Sequence, residues 1–88
     1  MNDVMTELRE MLDEAGFAWK DKSGEIGYLY IERTHVLDDK GEFLASCAYG
    51  SMTYGYPDVV ECDFVDFDHE PIPMSNESII EHLKELTK

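Results

Sequence analysis

The sequence predicts an α+β domain, with residues 1–88 forming one unit: an antiparallel sheet of three to four strands and a helix at each end, in the order α-β-β-β-β-α. Three observations predict it. Apolar residues recur at helical spacing near the two ends of the chain. The middle is rich in β-branched and aromatic residues. Gly, Asp and Pro cut that middle into strand-length pieces, and helices outside a run of strands point to helices packed on one face of a sheet.

The elements follow in order. Asp3 is placed to cap a helix running to Ala15, with Val4, Leu8, Met11, Leu12 and Ala15 on its apolar face. Gly16 suits the left-handed position that ends it. Phe17-Ala18-Trp19 reads as a short strand, and Lys22-Ser23-Gly24 as a turn. Residues 27–37 read as a long strand, Asp38-Asp39-Lys40-Gly41 as a hairpin loop, and residues 42–49 as the returning strand. Small residues on both faces of that strand (Ala45 and Cys47 on one, Ser46 and Ala48 on the other) predict a central position under a helix.

Residues 50–57 form a Gly- and Pro-punctuated loop, expected to be flexible, and residues 58–67 a third long strand. The alternation slips near Phe64-Val65, which predicts a β-bulge there. Pro71 and Pro73 should end the strand. Ser75 or Asn76 then caps a last helix, with Ile79, Ile80, Leu83 and Leu86 as its buried stripe.

Charge narrows the function. Seven Lys and Arg stand against 20 Asp and Glu, a net −13, while 43% hydrophobic content with five Tyr, four Phe and one Trp is too high for a disordered acidic tail. Such a charge excludes direct binding to nucleic acid or to an anionic membrane, both of which need cations facing phosphate. The acids are unevenly spread: residues 41–83 hold nine of them and no Lys or Arg. Uninterrupted apolar runs are a few residues long, such as Phe43-Leu44-Ala45, too short for a membrane span. Asp3 stands where a secretory signal would be basic, so no secretory signal is expected, and Cys47 and Cys62 read as buried thiols in a reducing cytoplasm.

Motifs for chemistry are missing. His35, His69 and His82 have no metal-ligand spacing with each other or with the cysteines. The acidic run 63–70 lacks the Asp-x-Asp-x-Asp-Gly pattern of a calcium loop. There is no Gly-x-Ser-x-Gly, phosphate loop or His-Glu-x-x-His. No catalytic residue, metal or cofactor is expected, and the protein is read as a non-enzyme.

Two features point to binding. Asp58, Glu61, Asp63, Asp66, Asp68 and Glu70 would project from one strand and its end. Residues two apart on a strand are about 6.8 Å apart, and a DNA strand carries a charge per about 3.4 Å, so such a row would meet every second phosphate position. Repulsion between neighbours is roughly 0.6 kcal/mol in water. Beside it, Tyr54 and Tyr56 lie in the 50–57 loop with Tyr49 and Met52 nearby, and Tyr is a favoured contact residue at interfaces.

The segment Glu7-Leu8-Arg9-Glu10-Met11-Leu12-Asp13-Glu14-Ala15-Gly16, its aromatic continuation Phe17-Ala18-Trp19, and Tyr49-Gly50-x-x-x-Tyr54-Gly55-Tyr56 before an acidic strand resemble small uncharacterised phage and prophage accessory proteins of gut bacteria. The resemblance implies a mobile-element accessory protein in a bacterial cytoplasm, of a kind some members of which inhibit host defence, and no catalytic residue. The expected function is therefore an inhibitor of anti-CRISPR or anti-restriction type. It would hold a basic, nucleic-acid-handling host protein through a DNA-mimicking acidic strand. The alternatives are a homodimeric structural or regulatory module, acidic only for solubility, and an acidic immunity or antitoxin protein.

Overall fold

The computed structural model describes residues 3–68 and 70–88. Helix α1 spans Val4–Ala15, and Asp3 caps it by accepting from the Thr6 amide at 2.7 Å. Gly16, at φ 85°, ends it. The Gly16 amide bonds the Asp13 carbonyl and the Phe17 amide bonds the Leu12 carbonyl, the double bond pattern of a Schellman cap. Met5, Leu8 and Leu12 are its fully buried residues. The helix is thus rotated slightly from the expected face, with Met5 inward and Val4 only half-buried.

Among the described residues six strands follow: β1 (Ala18–Asp21), β2 (Gly24–Ile26), β3 (Leu29–Leu37), β4 (Phe43–Tyr49), β5 (Val60–Phe64) and β6 (Ile72–Met74). The sheet is antiparallel throughout, in the order β1-β3-β4-β5-β6, with β2 also paired to β3. The architecture is α+β, but the strands outnumber the expected three to four. The pairs Ala18↔Leu37 and Ile26↔Leu29 belong to one continuous register, so β1 and β2 act as a single lane interrupted at Lys22-Ser23. Those two residues are a break, not a reversal. Lys22 still bonds the Arg33 carbonyl at 2.8 Å, and the Ser23 hydroxyl takes the Arg33 amide at 2.9 Å. The reversal comes at Gly27-Tyr28, where Gly27 adopts φ 64° as the first of two loop residues. Those two residues are therefore a turn and not the start of the long strand.

β4 is the central lane, as its small residues predict. The bulge lies elsewhere than expected. Val36 pairs Ala45 but Leu37 pairs Phe43, which leaves Leu44 as the extra residue on β4. The consecutive burial of Leu44 and Ala45 follows from it. At Phe64-Val65 there is no bulge in β5. The strand stops, and turns take over through Phe67 amide to Phe64 carbonyl and Glu70 amide to Phe67 carbonyl. Nor do the prolines close the sheet. Pro73 lies within β6, opposite Glu61, on an edge strand where a missing N–H is tolerated.

Helix α2 spans Asn76–Leu86 and is capped by Ser75, which accepts from the Ser78 amide. Ile79, Ile80 and Leu83 are buried, and Leu86 packs at the margin. Asn76 donates to the Val4 carbonyl at 3.0 Å and joins the two helix starts. One core results, in which Met5, Leu8, Leu12, Ile79 and Leu83 meet Val36, Ala45, Cys47, Val60, Cys62 and Phe64. Arg9 stitches α1 to the sheet. It bonds Thr34 Oγ1 at 2.7 Å, Asp21 at 3.2 Å and the Arg33 carbonyl, with its guanidinium 4.8 Å from the Trp19 ring centre. Buried Thr34 in turn donates to Met5 Sδ.

Candidate functional site

The strand register decides where the acids go. The face away from the helices carries two cross-strand rows: Lys20, His35, Ser46 and Asp63, then Arg33, Ala48, Glu61 and Pro73. Glu61 and Asp63 are therefore the two candidate acids that share one face of a strand. The other four leave the line. Asp58 sits in a turn before β5, its amide on the Gly55 carbonyl. Asp66, Asp68 and Glu70 follow the end of β5. Asp68 takes φ 48°, a left-handed conformation that Asp tolerates better than most residues. The expected single row of six is thus a band over β5 and its two flanks.

Two members of the band have structural partners. Glu61 Oε2 accepts the Tyr54 amide at 2.8 Å. Both Asp66 carboxylate oxygens lie 3.1 Å from His82 Nε2, whose ring stands edge-on to Phe64 at 4.4 Å. The bare face is also mixed in sign, because β1 and β3 bring Lys20, Arg33 and His35 to the strands beside the cation-free segment. Arg33 reaches Ser46 Oγ at 3.1 Å. Burial, then Arg33 and Lys22, hold the His35 pKa below its ordinary value.

The 50–57 loop is a chain of tight turns tied by its own bonds. Thr53 exchanges bonds with Gly50, Tyr56 bonds Thr53, and the Asp58 and Val59 amides both reach Gly55. Gly55, at φ 86°, has no space for a Cβ, which would run into Val59 and Pro73. Tyr54 is the more exposed of the two candidate tyrosines, at 66% against 45% for Tyr56. Tyr49 donates to the Pro57 carbonyl at 2.8 Å and stacks tilted on Tyr56, ring centres 5.0 Å apart.

An open groove of about 410 Å³ lies beside this loop, where the helix-side face of the sheet runs out past the start of α1. Tyr30, Tyr49 and Tyr56 line it with Asp3 and Glu32. Only Tyr56 among these was singled out as a site residue from the sequence. Tyr30 and Glu32 share their strand face with buried Thr34 and Val36, and that parity was the available signal. Burial, with the neighbouring Asp3 charge, raises the Glu32 pKa. The Thr6 amide lowers that of Asp3. Burial first, then Tyr56 and the nearby carboxylates, raises that of Tyr49.

Cys47 and Cys62 face each other across β4 and β5, both buried, with sulfurs 3.0 Å apart as free thiols. The bond to Cys47 and burial push the Cys62 thiol far above the usual thiol range. Among the described residues, no group of three or more His, Cys, Asp or Glu is placed to hold a metal ion, and no helix is long and apolar enough to cross a membrane. His69, weighed above as a ligand, lies outside the described residues. Comparison with protein-family models, with curated proteins and with solved structures finds no match to this chain.

Proposed function

We propose that the protein is a non-enzymatic inhibitor that occupies the basic, nucleic-acid-binding surface of a host defence protein, of CRISPR or restriction type, in the bacterial cytoplasm. The observation that carries this reading is the 43-residue stretch without Lys or Arg, whose acids Asp58, Glu61, Asp63, Asp66, Asp68 and Glu70 gather over β5 and its flanks. The mimicry is of charge rather than of phosphate spacing, since of the six acids just Glu61 and Asp63 keep the two-residue interval on a strand. Carboxylates would replace phosphates and speed encounter, while Tyr54 and Tyr56 would add contact area at the margin.

Pairing of two copies through a sheet edge has less support, because β6 carries Pro73 and the other edge is broken at Lys22-Ser23. The test is phage plating on bacteria that carry a CRISPR or restriction system and express the protein. Wild-type protein should restore plaques against one of these systems. The triple variant Asp58→Lys/Asp63→Lys/Glu70→Lys should not. Failure to relieve any system of either class, or a triple variant as active as wild type, would reject the reading.

A further inference from the structure

We propose that the groove between β3, the start of α1 and the 50–57 loop binds an arginine side chain, as the anchor point for a basic protein partner. The inference rests on the reading of the protein as a binder of basic proteins, and it adds a site distinct from the β5 band.

The lining has the chemistry of a guanidinium site. Three tyrosines, Tyr30, Tyr49 and Tyr56, line the groove with two carboxyl groups, Asp3 and Glu32, and among the described residues no Lys or Arg lines it. A guanidinium is planar, forks onto carboxylate oxygens and stacks on aromatic faces. A ring-and-carboxylate groove offers both kinds of contact at once. The tyrosine wall is set in advance, because the Tyr49 hydroxyl is held by the Pro57 carbonyl and the Tyr49 ring leans on Tyr56. Preorganised rings lose little freedom on binding. The rings are also reachable: Tyr30 is 59% and Tyr56 45% exposed.

Among the described residues, the carboxyl pair lacks a dedicated cation. Asp3 and Glu32 are within hydrogen-bond reach of one another, and the raised Glu32 pKa records the burial and the like charge beside it. Arg9, the basic residue acting on both, has its guanidinium committed to Thr34, Asp21, the Arg33 carbonyl and the face of Trp19. A cation arriving from outside would relieve that repulsion, whereas a neutral ligand would not. Next to the groove, the β2–β3 hairpin leaves Ile26, Tyr28 and Leu29 exposed, so a partner chain has apolar surface to continue onto.

Titration of the ¹⁵N-labelled protein with N-acetyl-arginine amide, followed by amide chemical shifts, tests the proposal without any partner protein. Its outcome is therefore separate from that of the plaque assay. Saturable shifts are expected at Asp3, Glu32, Gly50 and Tyr56. The neutral isostere N-acetyl-citrulline amide should bind at least about tenfold more weakly. Glu32→Gln should weaken arginine binding by a similar factor while keeping the folded spectrum. Tyr56→Leu, which removes one ring without touching the charges, should weaken it as well. Shifts that never saturate, shifts spread evenly over the surface acids, equal binding of citrulline, or equal binding of N-acetyl-lysine amide would each overturn the proposal.

Discussion

Beneath the helices, the sheet presents Val36, Ala45, Cys47, Val60, Cys62 and Phe64 to Met5, Leu8, Leu12, Ile79 and Leu83. On the other side, the same strands carry Lys20, Arg33 and His35 at one end of the cross-strand rows and Glu61 and Asp63 towards the other. The covered face is held by area removed from water, in which each residue depends on its neighbours' shapes. The bare face is held by the backbone ladder, so its side chains are open to selection for charge. A strand reads both instructions at once, because alternate residues face opposite ways. The acids of β5 can therefore serve a partner without weakening the core directly behind them.

Substitutions can break or sharpen that contrast. The largest effect should come from Phe64→Ala, on the covered face, where a fully packed ring also meets Phe67 and His82. It should cost about 3–5 kcal/mol in chemical denaturation. Arg9→Ala leaves the buried Thr34 oxygen without its guanidinium donor, and should cost about 1–3 kcal/mol. A smaller effect, of opposite sign, is expected from Glu32→Gln. The folded-state pKa of Glu32 is raised, so its ionisation opposes folding, and the penalty grows as pH rises through that pKa. Glu32→Gln should raise the melting temperature at neutral pH and lose that advantage below the ordinary carboxylate range. Smallest for stability is Asp58→Lys/Asp63→Lys/Glu70→Lys, expected to fall within about 0.5 kcal/mol per site, although the same variant should abolish inhibition. A triple variant as destabilised as Phe64→Ala would erase the distinction between the covered core and the acidic band.

Much of this was legible in the chain. Asp3, Gly16 and Ser75 mark helix ends by local chemistry alone, and the small residues of β4 announce its central place. What escaped depends on pairing between segments. β2 is hidden because Gly24-Glu25-Ile26 is too short to show an alternation of its own and gains strand character only from register with Leu29–Ile31. β6 is hidden by Pro73 within it and Pro71 just before it, and Pro73 is tolerable because the strand lies at an edge. The slip of phase at Phe64-Val65 suggests a bulge, but the strand ends there and the extra residue is Leu44, one lane away. For the site, the acidic segment was visible as charge, yet its dispersal from one row into a band was not. The groove joins Asp3, Glu32 and Tyr56 from distant parts of the chain, and no spacing in sequence brings those together.

The central claim is that the acids over β5 stand in for nucleic acid on a basic partner. The direct measurement is the affinity of the purified protein for the defence protein that it relieves in the plaque assay, from low to high salt, for wild type and for Asp58→Lys/Asp63→Lys/Glu70→Lys. Wild-type affinity should fall steeply as salt rises, and the variant should bind far more weakly at low salt. An affinity that stays flat with salt, or a variant that binds as tightly as wild type, would contradict the account.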